Sequence, residues 1–209
     1  MKAGKSAAAF WSGRAASYDR RFAAMPAAYR DLLPRCQARL KPSDTLLDLG
    51  CGSGQAALSL AHAVRAVQAC DLAPGMLAIA SAHARDLGIA NITFSLKDAA
   101  ATGFSDASFD AALCLAVMHL MEHPEQAMAE LRRVLKPGGL LFLSAYLAGQ
   151  SAVSRAGNAL MSLNGYRDEQ KWDADGFLRF VKDQGFAVLD SALYPMFPIP
   201  MQFIICQSH

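Results

Sequence analysis

No run of this sequence approaches the roughly 18–20 consecutive apolar residues that a bilayer-crossing helix needs. The longest candidates, Ala111 to Met121 and Leu140 to Leu147, have the length of buried elements. The opening Ala7-Ala8-Ala9-Phe10-Trp11 stretch is cut short by a polar residue and Arg14, so it is too brief for a secretory leader. Charge is also scarce. Charged residues make up 18% of the chain, and 20 basic side chains face 18 acidic ones for a net of +2. That balance argues against nucleic-acid binding by phosphate neutralisation. The five cysteines (Cys36, Cys51, Cys70, Cys114 and Cys206) are odd in number and widely spaced. They predict free thiols in a reducing, cytoplasmic setting. The histidines form no constellation that would hold a metal, and no metal site is expected.

What the chain does have is apolar content. Hydrophobic residues make up 53% of its 209 residues, enough to exclude extended disorder and to fill one core. No repeat, low-complexity tract or linker divides it, so residues 1–209 are expected to form a single domain.

Residues 6–40 read as helical, with a break near Pro26. Leu46 to Leu49 predicts a first buried strand, followed by the Gly50-Cys51-Gly52-Ser53-Gly54 loop and a helix over Gln55 to Val64. Val67 to Cys70 predicts a second strand ending at Asp71, and Pro74 opens a helix to about Leu87. Asn91 to Ser95 and Phe109 to Leu115 are the third and fourth strands. A helix starts at Pro124 and is expected to stop at Pro137-Gly138-Gly139, before a fifth strand over Leu140 to Ala145. Trp172 to Gln184 predicts a helix, and Phe186 to Leu193 and Gln202 to Gln207 two last strands. Strands alternating with helices imply a parallel sheet covered on both faces, with ligands beyond the carboxyl ends of the strands.

The chemistry-bearing residues fall at those ends. Gly50, Gly52 and Gly54 form a G-x-G-x-G turn between strand and helix, where glycine lets the backbone approach a ligand and the helix start offers unpaired N–H groups. Asp71, 17 residues after Gly54, is placed to accept hydrogen bonds from ribose hydroxyls, or to cap the helix at Pro74. A nucleoside-containing ligand follows, with NAD and S-adenosylmethionine both open at this point.

The wider pattern is more specific. Leu46-Leu47-Asp48-Leu49-Gly50-Cys51-Gly52-Ser53-Gly54 closely resembles motif I of the class I S-adenosylmethionine-dependent methyltransferases. Asp71-Leu72-Ala73-Pro74-Gly75-Met76-Leu77 resembles that family's second-strand motif. Lys97-Asp98-Ala99 is similar to the acidic motif after the third strand, and Phe109-Asp110 with Val117-Met118-His119-Leu120 to the fourth-strand segment. Leu131-Arg132-Arg133-Val134-Leu135-Lys136-Pro137-Gly138-Gly139 matches the family's run before the fifth strand. The motifs occur in family order across about residues 40–146, and the nearest branch is the small-molecule methyltransferases that resemble the ubiquinone/menaquinone C-methyltransferases.

The resemblance implies a Rossmann-like, doubly wound α/β fold. Its mostly parallel sheet would have seven strands in the order 3-2-1-4-5-7-6, the last antiparallel, with helices on both faces. It implies S-adenosylmethionine as cofactor and S-adenosylhomocysteine as product. It puts Asp48 and the Gly50–Gly54 backbone, with Cys51 as filler, near the methionine end. Asp71 would hold the ribose, Met76 would lie beside the adenine, and Asp98 would meet the adenine amine. Leu72 and Ala99 would surround the base, and Leu115 and Ala116 would line the sulfonium side. Trp11, Arg14 and Tyr18 resemble the segment that covers the cofactor in relatives, with Tyr18 the preferred contact.

His119 follows the fourth strand. An imidazole with an ordinary pKa is suited to take a proton from a methyl acceptor, or it shapes the pocket. Residues 147–172 are expected to form a lid, and with Tyr194 to Met201 an apolar acceptor wall. The expected partner is a small, apolar molecule accepting the methyl on O, N or C. No nucleic acid or membrane partner is expected, and the state would be monomer or homodimer. A non-catalytic cofactor binder is the alternative. A nicotinamide-dependent oxidoreductase fits less well, since its loop reads G-x-G-x-x-G.

Overall fold

The computed structural model describes residues 2–22, 25–166 and 168–208, with the side chains of 2–6 and 22 outside that description. Helices α1 (Lys2–Phe22) and α2 (Ala27–Gln37) precede the sheet. The core then runs β1 (Thr45–Leu49), α3 (Gln55–Leu60), β2 (Ala66–Asp71), α4 (Pro74–Asp86), β3 (Ile92–Leu96) and β4 (Phe109–Leu115). It continues with α5 (Pro124–Val134), β5 (Leu135–Tyr146), α6 (Ala152–Ser162), α7 (Ala174–Asp183), β6 (Phe186–Tyr194) and β7 (Met201–Ser208).

The strands form one seven-stranded sheet in the order β3-β2-β1-β4-β5-β7-β6. The pairs from β3 to β5 are parallel, and β7 runs antiparallel to both β5 and β6. The expected topology is the observed one.

Period-two alternation explains why the sheet is buried on both sides. On β4, Ala111 and Leu113 pack with Leu32, Leu60 and Phe203 on one face. Ala112 and Cys114 pack with Met128, Leu131 and Phe177 on the other. Each fully buried Leu or Phe contributes about 1.5–3 kcal/mol. Pro74 and Pro124 open α4 and α5 at a position where a missing N–H costs nothing. Asp173 caps α7 by accepting from the Gly176 amide at 2.7 Å, and Ser151 caps α6 through the Ser154 amide at 3.0 Å. Arg35 on α2 bonds Asp190 on β6 at 2.7 Å, tying the first helices to the sheet edge.

From β1 onward, most boundaries fall within one or two residues of expectation, and two differ by more. The fifth strand begins at Leu135, not Leu140, so Pro137-Gly138-Gly139 lies inside it. Pro137 disfavours helix at Lys136, and Leu135 is already extended (φ −73°, ψ 140°). The surplus residues are absorbed where the β4–β5 register slips from Phe109↔Leu135 to Ala111↔Leu140. The helix after the glycine loop ends at Leu60, and Ala61–Ala63 is a tighter 3-10 turn. No helix among the described residues is long and apolar enough to cross a membrane.

Candidate functional site

The carboxyl ends of β1, β2, β3 and β4 meet beneath α1. In the loop after β1, Gly50, Gly52 and Gly54 all have positive φ (76°, 55° and 90°). At Gly50 the need for glycine is also steric, since a Cβ would meet a Val117 methyl at 2.4 Å. The Gly50 and Cys51 amides both donate to the Cys70 carbonyl, at 2.8 and 3.0 Å, and lock the loop to β2. Asp71 completes the lock. Its Oδ2 accepts from the Gly52 amide at 2.9 Å and its Oδ1 from the Ala73 amide at 2.8 Å. Burial raises the Asp71 pKa, while the amides of Ala73, Gly52 and Leu72 pull it back.

Asp48 lies in β1 under this loop, 2% exposed, with Oδ2 lacking a hydrogen-bond partner among the described residues. Burial, then the charge of Asp71, pushes its pKa up to about 7. Such a carboxylate favours a nearby cation or hydrogen-bond donor.

A first cavity of about 170 Å³ opens above the loop. It brings together ten of the expected contacts: Tyr18, Gly50, Gly52, Asp71, Leu72, Met76, Asp98, Ala99, Leu115 and Ala116. Asp48, Cys51 and Gly54 do not line it. Gly54 turns into α3, where a Cβ would meet the Ala80 methyl at 3.0 Å, and Cys51 is buried against the core. Cys51 and Gly54 shape the loop from below, and Asp48 lies beneath it with its Oδ2 unpartnered among the described residues. Trp11 also lines the cavity, whereas Arg14 does not. Lys97, Val117 and Leu120, which belong to the third- and fourth-strand motifs, line it as well, as does Met121, which lies outside any motif.

A second cavity, of about 510 Å³, adjoins the first and shares Trp11, Tyr18, Ala116 and Leu120 with it. His119 and Arg14 belong here. The wall includes Tyr146, Met161, Asn164, Tyr166 and the Met196–Ile199 turn, so part of the 147–172 segment and the Pro-rich connection do form this side. Ala116, at the junction, holds a left-handed φ of 57° that costs a non-glycine residue about 1 kcal/mol or more. Its amide is pinned by the Ser144 carbonyl and hydroxyl, both at 3.0 Å.

His119 is 1% exposed, and burial pushes its pKa down to about 3. The ordinary imidazole value behind its expected role therefore does not hold; at neutral pH the ring is neutral. Its Nε2 lies 3.1 Å from the Tyr166 hydroxyl and 3.6 Å from Asp168 Oδ1. The Tyr146 ring meets the imidazole edge-on at 5.2 Å. Asp168 is buried too. Burial lifts its pKa to about 6, with the Tyr166 hydroxyl pulling the other way. Neither Asp168 oxygen, nor His119 Nδ1, reaches hydrogen-bond geometry with a partner among the described residues. Sequence reading missed Asp168 and the pairing of Tyr166 with His119, because both lie nearly 50 residues downstream and outside any motif. Of the other histidines, His62 and His123 are exposed, and His83 on α4 reaches Asp19 of α1 at 3.4 Å.

The fold and its paired cavities define a Rossmann-like architecture of the methyltransferase type. A putative methyltransferase from Bacillus halodurans C-125 superimposes with a TM-score of 0.75 at 20% identity, covering 85% of this chain and 98% of that one. Residues 47–143 match the family model described as "Methyltransferase domain". A ubiquinone biosynthesis O-methyltransferase of Xanthomonas axonopodis pv. citri is 36% identical over 51% of this chain and 45% of its own length. A malonyl-[acyl-carrier protein] O-methyltransferase of Serratia marcescens is 32% identical over 78% of this chain and 60% of its own. Over residues 47–143 the chain is similar to the S-adenosylmethionine-dependent methyltransferases, whose cofactor is S-adenosylmethionine. It spans about half the length of the first of these relatives.

The residues present fit that cofactor. The Asp71 carboxylate, the orphaned Asp48 oxygen and the glycine cradle are complementary to a ligand with hydroxyl donors at one end and an ammonium at the other.

Proposed function

We propose that this protein transfers a methyl group from S-adenosylmethionine to a small, largely apolar molecule. The observation that carries this reading is the shared wall: the cavity over the glycine loop and the cavity holding His119 meet at Trp11, Tyr18, Ala116 and Leu120. A donor in one would face an acceptor in the other.

In this reading Asp71 holds the ribose hydroxyls, and Asp98 with Met76 and Ala99 receives the adenine. Leu72 packs beside the base. The Gly50–Gly52 backbone and Asp48 accommodate the methionine end. The bound cofactor supplies an electrophilic methyl on a sulfonium, so the protein's task is alignment and exclusion of water. Tyr18 and Trp11 cover the junction from α1, and Leu115 and Ala116 form its floor. His119, neutral at pH 7, faces the acceptor cavity with Tyr166 orienting its ring, and the proton of a proton-bearing acceptor passes to the His119–Asp168 pair, in which Asp168 at 3.6 Å is the stronger base. The acceptor chemistry is closest to that of the ubiquinone-type branch, with a place for an apolar body against Met161, Met196 and Ile199.

The test is product analysis. Incubation with methyl-labelled S-adenosylmethionine and a panel of apolar phenols, amines and carbon acids is expected to give S-adenosylhomocysteine in step with labelled acceptor. Cofactor binding without transfer to any of them would instead favour a non-catalytic cofactor binder.

A further inference from the structure

We infer that the acceptor carries an anionic group, recognised by Arg14 and Arg21 at the rim of the second cavity. The inference rests on the methyltransferase reading and adds the charge of its substrate. Four observations lead to it.

Arg14 and Arg21 are seven positions apart on α1, two turns of one helix face, and both line this cavity. No acidic residue is among the described residues that line it, and neither arginine pairs with a carboxylate among the described residues. Arg14 is already set in place: its guanidinium lies 4.0 Å over the Phe10 ring and donates to the Asn164 carbonyl. That uses one of its five N–H donors and leaves the others for a ligand. Burial and then the Asp168 charge raise the pKa of Tyr146, whose ring touches His119, and the Arg21 charge acts on the same ring in the opposite direction.

Apart from Ser17, Asn164 and His119, the remaining lining is aromatic or aliphatic, including Phe10, Tyr146, Met161 and Ile199. A cavity with largely apolar walls, cations at the α1 rim and a carboxylate, Asp168, behind His119 at the other end favours an amphipathic anion with its charge toward α1. Its apolar body would then extend toward His119. A guanidinium holds a carboxylate or a phosphate through charge-assisted hydrogen bonds, and both share the chemistry required.

The probes are a fluorescent hydroxynaphthoate, its uncharged methyl ester and the matching hydroxynaphthyl phosphate, titrated into the protein saturated with S-adenosylhomocysteine. The carboxylate or the phosphate is expected to bind about tenfold tighter than the ester, the scale of one charge-assisted hydrogen bond. Whichever of the two binds more tightly identifies the anion. Arg21→Gln should shrink the advantage, Arg21→Glu should abolish it, and Arg21→Lys should retain part of it. S-adenosylhomocysteine affinity should stay the same in all three. Equal binding of acid, phosphate and ester, or no binding of any probe, would overturn the inference, and the arginines would then only solvate α1. Loss of S-adenosylhomocysteine binding by the unmodified protein is a separate outcome. It would remove the methyltransferase reading itself, and this inference with it.

Discussion

Asp168 Oδ1 lies 3.6 Å from His119 Nε2, with both side chains almost wholly withdrawn from water. Burial acts on the two groups in opposite directions, pushing the imidazole down to about 3 and the carboxyl up to about 6. At neutral pH this leaves a neutral imidazole beside a carboxylate, and Asp168 is the more basic of the two.

That pair sets activity against stability. Below its ordinary value of 3.8, Asp168 is protonated whether folded or unfolded and costs nothing; as pH rises through about 6 the folded chain must carry a buried carboxylate. Asp168→Asn is therefore expected to raise stability by about 1–3 kcal/mol at pH 8 and to leave it unchanged near pH 4. Methyl transfer should fall in the same variant. Thermal melts at the two pH values, with turnover at pH 8, check this. A variant destabilised at pH 8 would show that the Tyr166 hydroxyl outweighs the burial of Asp168.

Glu130 has the opposite sign. The Arg133 guanidinium first, helped by bonds from the Thr102 amide and hydroxyl, holds its pKa at about 2. Its contribution is full above the ordinary carboxyl value of 4.5 and is lost as pH falls toward 2. Glu130→Gln should lower stability at pH 7 by about 1–3 kcal/mol and flatten acid unfolding between pH 4.5 and 2. Urea midpoints across that range are the measurement.

The glycine loop predicts a pair of effects that separate strain from clash. Gly50→Ala meets both a left-handed φ and the Val117 methyl, and should destabilise by about 2–4 kcal/mol. Adding Val117→Ala should recover only the steric part. Full recovery in the double variant would mean the backbone conformation costs nothing.

Asp71→Ala removes the acceptor for the Gly52 and Ala73 amides as well as the expected ribose contact. Cofactor affinity should weaken by about 1–3 kcal/mol. Asp71→Asn keeps one acceptor oxygen and should lie between. Calorimetry on the two variants decides, and unchanged affinity in both would remove the ribose assignment.

Much of the fold was legible because its signals are local. The alternation in Phe109–Leu115, the prolines at 74 and 124 and the glycine at 185 each act within a few residues. The first cavity was legible for the same reason, since Gly50, Asp71 and Asp98 each follow a strand end whose position is fixed by its own hydrophobic run. The second cavity was not. His119 carries no mark of its burial, and Tyr166 and Asp168 reach it only through the path of the chain between β5 and α7. The start of β5 was misplaced because Pro137-Gly138-Gly139 reads as a stop, whereas pairing with β4 resumes across it through a register slip.

S-adenosylmethionine is expected in the cavity above Gly50–Gly54, and everything proposed for the second cavity depends on its place there. The most direct test is calorimetric titration of the unmodified protein with S-adenosylmethionine, S-adenosylhomocysteine, NAD and NADP. One-to-one binding of the first two, weakened by Asp71→Ala, with no heat from the nicotinamides, is the predicted result. Silence from both sulfur ligands, or saturable binding of a nicotinamide, would contradict it.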